Sequence, residues 1–380
     1  MKRKIFGGEH ETARKAFREY IKKELVPYYA DWEVAGMVPR EVWQKAGQQG
    51  WLCPTTSKVF GGEAVDFLYS VVFTEELYYH ALQGVFWTVH SDIVMPYIEK
   101  LATEDKKKQW IPRCVQGDAI LAIAMTEPEA GSDLARLSTR ADRDGDDYIV
   151  NGVKTFISNG QLADLVVVAV RTSEKENPRD GISLLVVESD SRGYQKGRNL
   201  DKIGLHAQDT SEIFFDNCRV PVSNLLGREG EGFRYLMENL QQERLILSIG
   251  AYAAAMGALD VTLEYVKKRR AFGKTIGEFQ NTRFVLAELA TKIQLARSFL
   301  DDLIPRHMAG EDLVREVSMA KYWITDLQFE VADRCLQFFG GYGYMKAYPI
   351  SRFFVDARVQ RIYGGANELM KELIARRLNI

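Results

Sequence analysis

Hydrophobic positions recur every three or four residues at both ends of the chain and alternate in its middle. From Glu11 to Leu25, the residues Ala13, Phe17, Ile21 and Leu25 fall four apart, and Pro27 ends the pattern. Phe67 to Leu82 and Asp92 to Leu101 read as further apolar helices, and Glu104 to Val115 as a short one. The texture changes near Asp118. From there to about Gly232 the chain alternates and turns often. Tyr148-Ile149-Val150-Asn151-Gly152 reads as a strand running into a hairpin turn. Leu165 to Val170, Ile182 to Val187 and Glu212 to Phe215 read as further strands. Helical periodicity returns over Phe233 to Arg269, Gln280 to about His307, Leu313 to Phe339, and from Asn367 onward, with Gly340-Gly341 stopping the third. The pattern predicts a helical domain over 1–117, an antiparallel β domain over 118–232 and a four-helix bundle over 233–380.

Composition narrows the function classes. The 380 residues are 46% hydrophobic, enough for a large core split over two or three domains. A net charge of −2 gives no bulk attraction to nucleic acid or anionic membrane. No apolar run reaches the roughly 18 residues of a membrane span. Met1-Lys2-Arg3-Lys4 is basic, but Glu9 and Glu11 follow without an apolar core, so no signal peptide is expected. Cys53, Cys114, Cys218 and Cys335 are far apart and form no C-x-x-C pair, which reads as reduced, buried thiols in a reducing compartment. The five histidines show no metal spacing, and no metal site is expected.

Candidate chemistry sits at a few positions. In the long helix, Leu236, Leu240, Leu247, Ala251 and Ala254 form an apolar stripe, and helical steps between Leu240 and Leu247 land on Glu243. A buried carboxylate has its pKa raised, which suits a general base near neutral pH; a buried ion pair is the alternative. Gly364 and Gly365 follow Tyr363 at the entrance of the last helix. They offer bare backbone for a substrate, or simply a helix-entry turn. Thr126 to Asp133 is a loop of hydroxyls, glycine and amides able to clasp a large cofactor, or a tight turn capped by Asp133. Phe156-Ile157-Ser158-Asn159-Gly160 sets an aromatic and a hydroxyl at a strand end, to stack on a flat ring or fill the core. Arg269-Arg270-Ala271-Phe272-Gly273-Lys274 could pair with a diphosphate or be a solvated helix end.

Taken in order and spacing, T-E-P-x-A-G-S-D, F-I-S-N-G, R-x-A-F-G-K, Q-x-x-G-G-x-G-Y and I-Y-G-G-x-N-E resemble the acyl-CoA dehydrogenases, and most the long-chain members. The phrases H-S-D-I-V-M-P-Y-I (90–98), A-K-Y-W (320–323) and M-K-E-L-I-A-R (370–376) extend the resemblance over nearly the whole chain. It implies an N-terminal α domain, a middle antiparallel β-barrel and a C-terminal four-helix bundle. It implies FAD, a homotetramer, electron transfer flavoprotein as acceptor, and α,β-dehydrogenation of a medium- to long-chain fatty acyl-CoA. A base removes the α-proton while the β-hydrogen leaves as hydride to flavin N5. The cytoplasm is the expected compartment, or the mitochondrial matrix had a transit peptide been removed.

The resemblance also assigns residues. Ile123, Met125, Thr126 and Ser132 are expected on the flavin, with Ser132 also on the CoA moiety. Phe156 and Ser158 are expected against the isoalloxazine. Arg269, Phe272, Gln280, Gln337, Gly340 and Gly341 are expected to reach the FAD of a neighbouring subunit, and Ala366, Asn367 and Glu368 to lie near the flavin or its adenosine part. Many relatives carry the catalytic glutamate directly after the tyrosine of the last motif, where this chain has Gly364. In the long-chain and isovaleryl branches an E-R-L sequence of the long helix supplies it, which here is Glu243-Arg244-Leu245. Gln241, Gln242, Arg244, Tyr363, Gly364 and Gly365 are then the expected substrate contacts. Two departures stand out: Ala366 where a threonine is common, and Arg234 where long-chain relatives tend to have an aromatic. Competing readings are an oxygen-using oxidase or monooxygenase of the same fold, a branched-chain dehydrogenase, and a scaffold that has lost its site.

Overall fold

The computed structural model describes residues 3–380. The first unit is helical: α1 (Gly8–Tyr20), α2 (Tyr29–Ala35), α3 (Arg40–Gln48), α4 (Phe67–Tyr79), α5 (Met95–Leu101) and α6 (Glu104–Val115). Side-chain caps set two of the starts: Asp66 accepts from Leu68 N before α4, and Thr103 from Lys106 N before α6. Pro27 does not end the first helical path, as its position predicted. The chain passes through a π turn (Ile21–Leu25) and a 3₁₀ turn containing Pro27, then resumes as α2. Proline lacks its N–H, and a change of helix type at the first turn accommodates that loss. A second π segment, Val89–Val94, leads into α5.

The middle unit is a sheet of β1 (Leu121–Ala124), β2 (Arg140–Asp144), β3 (Asp147–Ser158), β4 (Leu165–Arg171), β5 (Ile182–Glu188), β6 (Tyr194–Asn199), β7 (Thr210–Pro221) and β8 (Leu225–Leu226). The strand order is β6-β7-β3-β2-β4-β5-β8, with β1 paired to β4. It is not wholly antiparallel, as had been expected: β1 and β2 each pair with β4 in parallel. The chain enters β1 directly from α6, and Asp164 ties the two starts together by accepting from Ile120 N at 2.8 Å. Alternation in a sequence does not record strand direction. Nor is Asn151-Gly152 a hairpin turn. β3 runs on through it to Ser158, with an irregular register against β7 between Val150 and Gly152. A Cβ on Gly152 would lie 2.5 Å from Thr139 Oγ1, so the glycine admits a close neighbour rather than reversing the chain.

The last unit begins with α7 (Gly232–Lys268), followed by the small hairpin of β9 (Arg270–Ala271) and β10 (Lys274–Thr275), then α8 (Gln280–Met308) and α9 (Val314–Phe339). A short α10 (Pro349–Ala357), absent from the sequence reading, precedes α11 (Asn367–Arg377). Pro349 in its first turn and the buried Ile350 and Phe353 were its signal. The axis of the molecule is α7, packed by α4, α8 and α9. Its run of alanines and glycines lets α4 approach closely: a Cβ on Gly250 would come within 2.6 Å of the Tyr78 ring. Contrary to the expectation that no apolar run reaches spanning length, a window of α7 is long and apolar enough to cross a membrane. It is 83% buried inside the protein and serves as the core helix. All four cysteines are buried and free.

Candidate active site

Glu243 lies on α7 where that helix meets α5, and its residue is 4% exposed. Tyr97 of α5 donates its hydroxyl to Glu243 Oε1 at 2.8 Å. Burial pushes the Glu243 carboxyl up to about 7, against the opposing pull of Tyr97 and of the adjacent Arg244 charge. Burial and the neighbouring carboxylate in turn hold the Tyr97 phenol protonated, so it remains a donor. The result is a nearly dry carboxyl poised to exchange a proton at neutral pH.

The sequence left open whether Glu243 is half of a buried ion pair. The arginine beside it is otherwise engaged: Arg244 Nε donates to Gly364 O at 3.1 Å. That bond brings the E-R-L segment and the Tyr363-Gly364-Gly365 turn together. Gly364 and Gly365 have φ of +64° and +96°, in the region that penalises a side chain. A Cβ on Gly364 would lie 2.5 Å from Leu247 Cδ1, and one on Gly365 2.8 Å from Met370 Cε. The left-handed conformation therefore favours bare backbone at both positions, and an added Cβ would have to displace the ends of the Leu247 and Met370 side chains. Tyr363 packs its ring 6.0 Å from that of Phe86.

Two neighbours of Glu243 point elsewhere. Gln241 receives Leu313 N at 2.8 Å and donates to Glu311 O at 3.0 Å, so its amide fastens the link between α8 and α9. It does not join the Glu243 carboxylate. Gln242 donates to Asp92 O at 2.8 Å and secures the π segment before α5. Arg234, one of the departures, is exposed and paired with Glu231 and Glu238.

The expected cofactor residues fall into two groups. In the first, Ile123, Met125 and Thr126 are half-buried at the end of β1, Ser132 is exposed, and Ser158 is half-buried at the end of β3. Thr155 N donates to Thr126 O at 2.9 Å, which joins the loop to β3 beside Phe156. Beneath them, Lys154 donates to Met125 O at 3.1 Å and to Glu127 Oε1 at 2.8 Å. Glu127 also accepts from Ser138 and Thr139, so this buried ion pair anchors the loop. In the second group, Arg269, Phe272, Gln280, Gln337, Gly340 and Gly341 are all exposed. The Arg269 guanidinium lies 5.7 Å from the Tyr342 ring, so the R-x-A-F-G-K and G-G-x-G-Y motifs share one end of the bundle. Ala366 caps α11 and Glu368 is exposed, while the Asn367 side chain is buried against α9.

Three family descriptions match the chain in succession: acyl-CoA dehydrogenase N-terminal domain over residues 7–118, middle domain over 122–218 and C-terminal domain over 230–379. The mitochondrial long-chain specific acyl-CoA dehydrogenase of Sus scrofa is 48% identical over 377 residues, 99% of this chain and 88% of that protein. This chain belongs to the acyl-CoA dehydrogenase family. Among solved structures, an acyl-CoA dehydrogenase from Geobacillus kaustophilus is 53% identical, with a TM-score of 0.97 and complete coverage of both chains. A glutaryl-CoA dehydrogenase from Mycobacterium smegmatis, solved in complex with FADH2, is 27% identical with a TM-score of 0.92, over 98% of this chain and 95% of that one.

Acyl-CoA dehydrogenases are FAD-dependent oxidoreductases acting on a CH–CH bond, and the residues here fit that cofactor. Phe156 is 68% exposed and held at φ +58°, an arrangement that packing alone does not call for and that presents a flat apolar face. Phe272 is 94% exposed at φ +52°, beside the exposed Arg269. Hydroxyls of Thr126, Ser132 and Ser158 supply donors on the first surface. Tyr97, in H-S-D-I-V-M-P-Y-I, and Lys321, in A-K-Y-W, lie in family motifs that by themselves assign them no role. Lys321 had a signal of its own, standing on the same helical face as Val317, Ala320 and Ile324, where an apolar residue belongs.

Proposed function

We propose that this acyl-CoA dehydrogenase oxidises medium- to long-chain fatty acyl-CoA to trans-2-enoyl-CoA, with Glu243 as the α-proton base. The observation that carries the reading is the Glu243 carboxyl, buried, raised to about 7, and set beside the arginine that grips Gly364. Relatives with the base after the motif tyrosine need a side chain at that point; here the left-handed backbone of Gly364 disfavours one, and the carboxylate comes from α7. Two carboxylates in one pocket would share a proton, so a single one is the consistent arrangement.

In this mechanism Tyr97 occupies Glu243 Oε1 and orients the carboxylate, leaving Oε2 to take the α-proton. The electron pair of the broken α C–H bond becomes the new α,β double bond as the β-hydrogen departs with its own pair. When bound, FAD supplies the acceptor for that hydride. Burial around Glu243 keeps water from competing for the proton. The exposed Arg269, Phe272, Gln280, Gln337, Gly340 and Gly341 would hold the FAD of a neighbouring subunit in a homotetramer, and electron transfer flavoprotein would be the final acceptor. Identity to long-chain relatives supports the acyl length.

The test is anaerobic flavin bleaching by acyl-CoAs of increasing length, with native protein and Glu243→Gln. The variant is expected to stay yellow and not bleach. Appreciable flavin reduction by substrate in Glu243→Gln would sink the assignment.

A further inference from the structure

The Gly364–Gly365 turn is gripped by two helices. From α7, Arg244 takes Gly364 O. From α9, Lys321 Nζ donates to Gly365 O at 2.7 Å and to Asn367 Oδ1 at 2.9 Å. Two consecutive carbonyls are thus each held by a nitrogen donor of a basic side chain. Lys321 is wholly buried, and burial, with Arg244 nearby, pushes its ammonium down to about 7 against the pull of Asp326 and Glu368. Asp326 is itself shared with Arg361 at 2.5 Å and with the Asn367 amide at 3.0 Å.

A lysine is a costly choice for this place, since an apolar side chain would fill the same stripe of α9 without desolvating a charge. What it adds is a donor at the end of a long stem, aimed at the one segment of the site with no side chain of its own. Both gripping residues are backed in the same way: Ser248 donates to Arg244 O and Thr325 to Lys321 O, each at 2.7 Å. Asn367 completes the frame by donating to Tyr322 O at 3.1 Å and to Thr325 Oγ1 at 3.0 Å.

We propose that Lys321 is a positioning residue for the dehydrogenation, acting with Arg244 to fix the Gly364–Gly365 backbone as a rigid wall beside the reacting α-carbon. This rests on Glu243 being the base. Two adjacent glycines are the most mobile backbone available. Left with one carbonyl free, the turn still admits the acyl thioester but no longer holds it at one distance from Glu243, so the loss falls on rate rather than affinity.

The experiment compares Lys321→Met, Lys321→Gln and Lys321→Arg with Glu243→Gln. FAD content and melting temperature report folding. Calorimetric titration with trans-2-enoyl-CoA gives affinity, and anaerobic bleaching at saturating acyl-CoA gives rate. Lys321→Met is expected to bind enoyl-CoA within about threefold of native while bleaching about 10- to 100-fold more slowly. Lys321→Arg, which keeps a charged donor, recovers most of the rate, and Lys321→Gln, with one amide donor, falls between. Native bleaching rate in folded Lys321→Met, or a loss confined to affinity, overturns the proposal. Should Lys321→Met fail to fold, native rate in Lys321→Gln combined with a slow Lys321→Arg overturns it equally. Bleaching by Glu243→Gln marks failure of the base assignment and is read separately from the lysine series.

Discussion

Replacing Tyr97 by phenylalanine isolates the one hydrogen bond given to the proposed base. The phenol donates to Glu243 Oε1 at 2.8 Å, and both side chains are buried. A hydrogen bond to an ionised group is worth about 1.5–3 kcal/mol. At about 1.4 kcal/mol per pKa unit, its loss raises Glu243 from about 7 by a further one to two units or so. A base works when ionised, so the acid limb of the rate profile moves to higher pH by the same amount. At pH 7 the bleaching rate falls by about 5- to 50-fold, and it returns toward native above about pH 9. The assay is single-turnover flavin bleaching at saturating acyl-CoA from about pH 6 to about pH 10, on protein of verified FAD content. An acid limb that stays in place, or a rate deficit that persists unchanged at alkaline pH, refutes the reasoning.

Two further outcomes are expected. Glu243 has a folded pKa of about 7, above the ordinary 4.5, so the folded state holds its proton longer than the unfolded chain. Its contribution to stability therefore declines as pH rises from about 4.5 to about 7, by roughly 3 kcal/mol. Glu243→Gln cannot ionise, and its melting temperature should exceed native by more at pH 8 than at pH 5; an equal difference at both would contradict the carboxyl's raised pKa. Gly364→Ala should lower stability by about 1–2 kcal/mol from the left-handed backbone alone. Contact of the new Cβ with Leu247 adds to that loss, and Leu247→Ala in the same chain should return the contact part, read as urea midpoints.

The helices that bury one clean stripe were legible in the sequence, and so was Glu243, because a carboxylate on an apolar face violates a local rule. The strand pairings were less so. Asn151-Gly152 carries the residues of a hairpin turn, yet the pair sits mid-strand because β3 stays paired with β7 on both sides of it, and Gly152 leaves room for Thr139. Pro27 carries the signal of a helix stop, yet the path continues by changing its winding. Gln241 and Gln242 adjoin Glu243 in sequence, yet neighbours on a helix point about 100° apart, so one fastens the link to α9 and the other the π segment before α5.

By itself the sequence determined the order of the three units, the family motifs, the buried carboxylate and the empty place after Tyr363, all of which depend on residue type and short-range spacing. Only the tertiary structure decided what surrounds that carboxylate. Tyr97 stands 146 positions from Glu243, Gly364 stands 120 from Arg244, and Lys321 stands 44 from Gly365. Whether such residues meet depends on how whole helices pack, and no local periodicity carries that information. The pKa of Glu243, the grip on the turn and the crowding of Gly364 by Leu247 all arise from those meetings.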